Sequence, residues 1–158
     1  MAAVVITSRK KAKRPALAGP SSVESKIGAL FKLRGVGVHF STVLGGEVYY
    51  RTFRNRRGVG QTIGLASSPF QSGDMARDQG IAKAGNGRAR KTMIQLAWLW
   101  RRHQPDRALS KWFRERVGDQ KGRVRRIAIV AMARKLAVAL WRYLETGVVP
   151  EGAVLKRA

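Results

Sequence analysis

The 158-residue chain has no cysteine, two histidines and nine acidic residues. Without cysteine there is no disulfide framework, zinc finger or iron–sulfur site, and nothing asks for an oxidising compartment. His39 and His103 stand 64 positions apart, which makes a histidine-rich metal motif a poor expectation. The acids (Glu24, Glu47, Asp74, Asp78, Asp106, Glu115, Asp119, Glu145, Glu151) are scattered, whereas a two-metal nuclease needs several converging carboxylates. No metal ligands and no cofactor are therefore expected within this chain. No apolar run approaches the roughly 18 residues of a membrane span. Ala2–Ile6 is too short for a secretory core and lacks a charged stretch before it. The expectation is a cytoplasmic protein with no membrane partner.

What is present is positive charge. Thirty-two Lys and Arg give a formal net charge of +23, while 44% hydrophobic residues allow a folded core and argue against a disordered polycation. Arginine outnumbers lysine 21 to 11. Arginine makes planar, bidentate contacts to phosphate, so the bias fits a nucleic-acid partner. A GC-rich genome also raises arginine, but it does not suppress the acids.

Residues 1–20 read as a basic arm, with Arg9, Lys10, Lys11, Lys13 and Arg14 ahead of a Gly19-Pro20 break. Residues 21–158 read as one compact all-α domain. Ser21 and Glu24 suggest a capping box for a helix that should stop at Arg34 before Gly35-Val36-Gly37. A second helix over Val38–Tyr50 is interrupted by Gly45-Gly46, and a third runs over Phe53–Leu65. Residues 66–86 read as loop. Helices are then predicted over Gly87–His103, from an Asp106 cap through Val117, and over 123–146, the longest. Its core stripe is Ile129, Ala133, Leu136, Leu140 and Leu144, and Gly147 and Pro150 stop it.

Three constellations carry possible chemistry. Leu33-Arg34-Gly35-Val36-Gly37 between two helices suits a helix–hairpin–helix, in which glycines let the backbone approach and amides face a phosphate. Lys32, Arg34, Gly35 and Gly37 are its candidate contacts; any glycine-containing turn is the plainer reading. In the 66–91 segment Ser72 precedes Gly73, with Lys83, Arg88 and Arg90 as candidate cations. A serine attacking phosphorus needs those cations and a route for its proton, and Asp74 is the nearest carboxylate. By composition Ser72 is more often a turn residue. Further cations cluster as Arg54, Arg56 and Arg57, and residues 101–126 hold ten basic against three acidic side chains, among them Arg101, Arg102, Arg123, Arg125 and Arg126. Trp98 and Trp100 cannot share one helix face, so one is free to stack on a base or a partner.

The order of these motifs resembles a known family. The hairpin, Phe53-Arg54-Asn55-Arg56-Arg57, Ser68-Pro69-Phe70-Gln71-Ser72-Gly73 and Gly80-Ile81-Ala82-Lys83-Ala84-Gly85-Asn86 are similar to the C-terminal domain of bridge-RNA-guided insertion-sequence transposases. So are Trp112–Arg116, Ala131–Leu136, Leu140–Gly147 and Val149–Lys156, and the resemblance covers about residues 26–156. It implies a recombinase in which this domain supplies a serine that becomes joined to DNA, at the position of Ser72. It also implies an N-terminal RuvC-like domain binding divalent metal (Mg), a structured guide RNA, and assembly with a second protomer or a full-length transposase. It places the protein with bacterial nucleoid DNA. That acidic domain does not precede the matching region, so the expectation is a truncated transposase without autonomous activity. The alternative is a non-catalytic basic DNA- or RNA-binding protein.

Overall fold

In the computed structural model the structure describes residues 20–157 apart from 73–74, 82–83 and 151, with main chain alone over 67–80. The basic arm, Pro20 excepted, and Asp74 and Lys83 lie outside the described residues. Among the described residues six helices make the body of the fold, in keeping with the all-α expectation: α1 Val23–Phe31, α2 Val38–Glu47, α3 Arg56–Ile63, α4 Gly87–His103, α5 Ala108–Val117 and α6 Arg123–Thr146. α6 is the central element. It packs against α1, α3, α4 and α5, while α2 rests on α1 and α4.

The expected α6 stripe is the core: Ile129, Ala133, Leu136, Leu140 and Leu144 are all buried, against Met93, Leu96, Ala97 and Trp100 of α4 and Phe113 and Val117 of α5. Gly147 ends α6 in the left-handed region at φ 71°, where a residue without Cβ is least strained. α4 has the predicted bounds, opened by Asn86, whose side chain accepts from the Ala89 amide at 3.0 Å.

Four local expectations change. The capping box of α1 is Ser22 with Ser25, each side chain accepting from the other's amide at 3.1 Å, one residue on from Ser21 and Glu24. α1 stops at Phe31 rather than Arg34 because the following main chain is bonded elsewhere. Leu33 forms an antiparallel bridge with Leu155, the Arg34 amide donates to the Val154 carbonyl at 2.9 Å, and the Lys156 amide donates to the Lys32 carbonyl at 2.8 Å. α2 runs unbroken through Gly45-Gly46 and ends at Glu47. A Cβ on Gly45 would lie 2.5 Å from Ile27 Cγ1, so the glycine is the point where α1 closes on α2. α5 begins after Arg107 with no side-chain cap, and Asp106 does not take that role.

The segment expected to be loop holds an antiparallel hairpin, β1 Ser67–Ser72 and β2 Met75–Ile81, paired Ser67 with Ile81 at its base and Ser72 with Met75 at its far end. A register shift between Ser67 and Pro69 accommodates the proline, which has no amide to give to a ladder. A two-stranded ribbon is held by main-chain pairing, which leaves no imprint on apolar alternation.

Candidate nucleic-acid interface

The turn between α1 and α2 is pinned from two sides. Gly35 takes φ +94°, and a Cβ there would sit 3.2 Å from His103 Cβ at the end of α4. Gln104, buried although polar, donates to the Arg34 carbonyl at 2.8 Å and accepts from the Val154 amide at 2.8 Å. Lys156 Nζ donates to the Val36 carbonyl at 2.7 Å and stands 3.4 Å over the Phe31 ring. Partial burial holds its pKa below the usual lysine value. Gly37 caps α2 in extended geometry. The first amides of α2, like those opening any helix, have no intrahelical acceptor. Lys32 and Arg34 are exposed beside this turn.

A second cluster forms where α4, α5 and α6 meet. Trp100 is 1% exposed and belongs to the core, whereas Trp98 is half-buried at the surface. Its ring meets Phe113 edge-on at 6.0 Å. Arg101 lies 5.3 Å from the Trp98 ring and 4.4 Å from that of Phe113, and Arg125 lies 5.1 Å from Trp98. Burial lowers the pKa of the Arg101 guanidinium, and the like charges of Arg125 and Arg114 lower it further. Three helices thus bring three guanidiniums together, and among the described residues none of the three has a carboxylate partner. Cation–π contact offsets part of that repulsion. Neighbouring Trp112 has Lys135 at 4.9 Å and Arg116 at 6.0 Å.

The Ser72 hairpin is anchored at its base. The Asn86 amide donates to the Thr62 carbonyl at 2.8 Å, and the Asn86 side chain donates to Glu47 at 2.8 Å. Arg88 pairs with the same carboxylate at 2.9 Å. Gly85, at φ +121°, fits where a Cβ would lie 2.7 Å from both the Gln61 and Thr62 carbonyls. The start of α4 and the end of α3 are therefore locked together by the segment that follows β2. Ser72 itself stands at the last paired position before the tip.

The candidate residues fall into separate groups. Arg101 and Arg125 share the Trp98 cluster, while Arg102 is exposed on the last turn of α4, a favourable place for a cation. Arg54 precedes α3, and Arg57 is exposed in its first turn. Arg56, Arg123 and Arg126 face a groove along α6 instead. Arg88 is committed to Glu47, and Arg90 is half-buried on α4. Arg114 was missed by sequence reasoning because the heavy charge of 101–126 gave no reason to single it out. Its nearness to Arg101 arises only once α4 and α5 are packed. Among the described residues no three His, Asp or Glu side chains come together to hold a metal ion. The resemblance assigns its divalent cation to the RuvC-like domain and not to these residues.

The arrangement is that of a small helical domain with a pinned glycine turn, an anchored hairpin and an arginine–aromatic cluster at its surface. Residues 28–112, more than half of the chain, match the Transposase IS116/IS110/IS902 family, and the chain belongs to that family. It is 53% identical over 128 residues to "Putative transposase y4rJ" of Sinorhizobium fredii (strain NBRC 101917 / NGR234), an alignment covering 80% of this chain and 32% of that protein. The chain thus spans about a third of the length of this curated relative.

Proposed function

We propose that this chain is the nucleic-acid-binding, serine-bearing C-terminal part of an insertion-sequence transposase. The observation that carries the reading is the convergence of Arg101 and Arg125 from two helices on the half-buried Trp98, with Arg114 of a third helix close enough to Arg101 to add like charge. Like charges forced together without a carboxylate are relieved by a polyanion, and an aromatic face among them suits a base. Helix starts add support. The first turns of α3 and α6 also carry Arg57 and Arg125 and no acid, although the positive end of a helix disfavours cations. The α1–α2 turn, with Lys32 and Arg34 beside it, serves as a helix–hairpin–helix contact to DNA phosphate.

In this reading Ser72 is the nucleophile. Its hydroxyl oxygen attacks the phosphorus of a DNA phosphodiester, the bond to the deoxyribose oxygen breaks, and that oxygen leaves with a proton while the serine proton passes to solvent. Support comes from the position of Ser72 at the far end of an anchored hairpin and from the family. The metal-binding carboxylates of a composite site come from outside the described residues. A second protomer and a structured guide RNA complete the expected partners, so autonomous transposition by these residues alone is not part of the proposal.

Two measurements test it. Binding of a labelled duplex should weaken log-linearly with salt, and replacing Arg101 and Arg125 by Ala should flatten the slope by about 1.8, near 0.9 per lost phosphate contact. An unchanged slope removes this cluster from the interface. Ser72→Ala should leave that binding intact and abolish any adduct that survives denaturing electrophoresis. Equal adduct yield from both proteins ends the nucleophile assignment.

A further inference from the structure

α6 has a second face, outside the Trp98 cluster, whose apolar side chains are only partly buried or exposed. Along it runs a groove of about 1050 Å³. Its floor is aliphatic: Ile127, Val130 and Val138 of α6 with Leu65 and Leu109 from the flanking segments. Its rim is cationic: Arg56, Arg123, Arg126, Arg134, Lys135 and Arg142. None of the fourteen described residues lining it is acidic. Ile127 is 56% exposed, an unusual state for isoleucine on a helix with a well-filled core.

We infer that this groove docks an acidic amphipathic helix from another polypeptide. Two complementarities carry the inference. From Arg123 to Arg142 the face extends about 28 Å at 1.5 Å per residue, the length of a helix of five turns. An apolar stripe at three- and four-residue spacing would bury against the aliphatic floor, with carboxylates on its flanks meeting the six cations. Nucleic acid suits the rim and not the floor. Bases stack on aromatic or guanidinium planes, and no aromatic residue is among those lining the groove. A second copy of this chain does not supply the occupant, because its nine acids are scattered and none of its helices has an acidic flank. Residues 1–19 do not supply it either, since they contain five basic residues and no acid.

The inference concerns a surface apart from the Trp98 cluster and does not depend on the nucleic-acid reading. It assigns Arg56, Arg123 and Arg126 to a protein contact instead. The test uses the full chain and a fluorescent peptide of about 18 residues, about 27 Å long as a helix, with leucines on one face and glutamates on its flanks. A shuffled peptide of the same composition, with leucines distributed around the helix, is the comparator. By anisotropy, the amphipathic peptide should bind at least about tenfold more tightly than the shuffled one. Ile127→Glu, at an exposed position, should erase that preference while duplex and single-stranded oligonucleotides bind within about twofold of wild type. Arg142→Glu, on an exposed rim side chain, gives a second variant, expected to weaken the peptide severalfold should Ile127→Glu disturb folding by circular dichroism. Equal affinity for the two peptides overturns the inference, as does an unchanged peptide preference in either folded variant. Displacement of the peptide by oligonucleotide, with Ile127→Glu weakening both ligands alike, reassigns the groove to nucleic acid and also overturns it.

Discussion

Asn86 and Glu47, 39 residues apart in the chain, are joined by a 2.8 Å hydrogen bond from the Asn86 side-chain Nδ2 to the carboxylate. While bonded to Glu47, Asn86 also caps α4 through its side-chain oxygen. Glu47→Ala removes the acceptor of a partly buried donor and the partner of Arg88. A charge-assisted bond of this kind contributes about 1.5–3 kcal/mol, so the variant should melt several degrees lower at about 2–4 °C per kcal/mol. Arg88→Ala should cost under about 1 kcal/mol, because its side chain is 65% exposed. Equal losses in the two variants by calorimetry would locate the effect in the ion pair rather than in Asn86.

Gly85 and Gly28 should respond in opposite directions to alanine. At Gly85 a Cβ meets main-chain atoms of Gln61, Thr62 and Gly64 in a left-handed backbone. Backbone strain alone costs about 1–3 kcal/mol, and the contacts add to it. Gly28, inside α1, has nothing within 4 Å of a Cβ, and alanine there should stabilise by about 0.5–1 kcal/mol. Denaturant midpoints of the two variants on either side of wild type are the expected result.

Tyr49 predicts an alkaline loss of stability. Its hydroxyl is buried and donates to the Ala137 carbonyl at 2.8 Å, and burial pushes its pKa far above the ordinary tyrosine value. The fold therefore holds the protonated form. Its contribution is complete below the unfolded value of about 10 and is lost as pH rises beyond that. Burial shifts Tyr143 the same way. Urea midpoints measured upward from pH 9 should fall more steeply in wild type than in Tyr49→Phe, which costs about 0.5–1.5 kcal/mol at neutral pH. Parallel pH curves would show that another group sets the alkaline limit.

Trp98→Ala and Trp100→Ala should separate binding from folding. Trp98→Ala should weaken single-stranded oligonucleotides by about 1–3 kcal/mol, the contribution of one stacked base, with a small change in melting temperature. Trp100→Ala empties a buried site and should cost about 3–5 kcal/mol of stability. Loss of oligonucleotide binding only in step with unfolding, in both variants, would refute the stacking role.

The long elements were legible because their apolar spacing persists over several turns. α4 and α6 have the expected bounds, and the five-residue stripe of α6 is the core. The tryptophan argument also holds, since Trp98 and Trp100 diverge as helical geometry requires. What escaped was set by distant partners. The early end of α1 depends on Leu155, and the continuity of α2 through Gly45 depends on Ile27. The second face of α6 was masked by its first. Ile127, Val130, Ala131 and Val138 also keep helical spacing, but a helix that is apolar on two sides yields no single preferred direction. Ser72 is singled out by resemblance alone, since a serine before a glycine is compositionally a turn.

The bridge between Leu33 and Leu155 and the bond from Lys156 to Val36, across 120 residues of chain, also put the hairpin on a clock. At roughly 5–20 residues per second of synthesis, the glycine turn waits about 6–24 s on the ribosome before the strand that pins it exists. During that interval a nascent chain that has passed residue 104 holds the turn only by His103 and Gln104, and one stalled before residue 154 lacks the second set of pins.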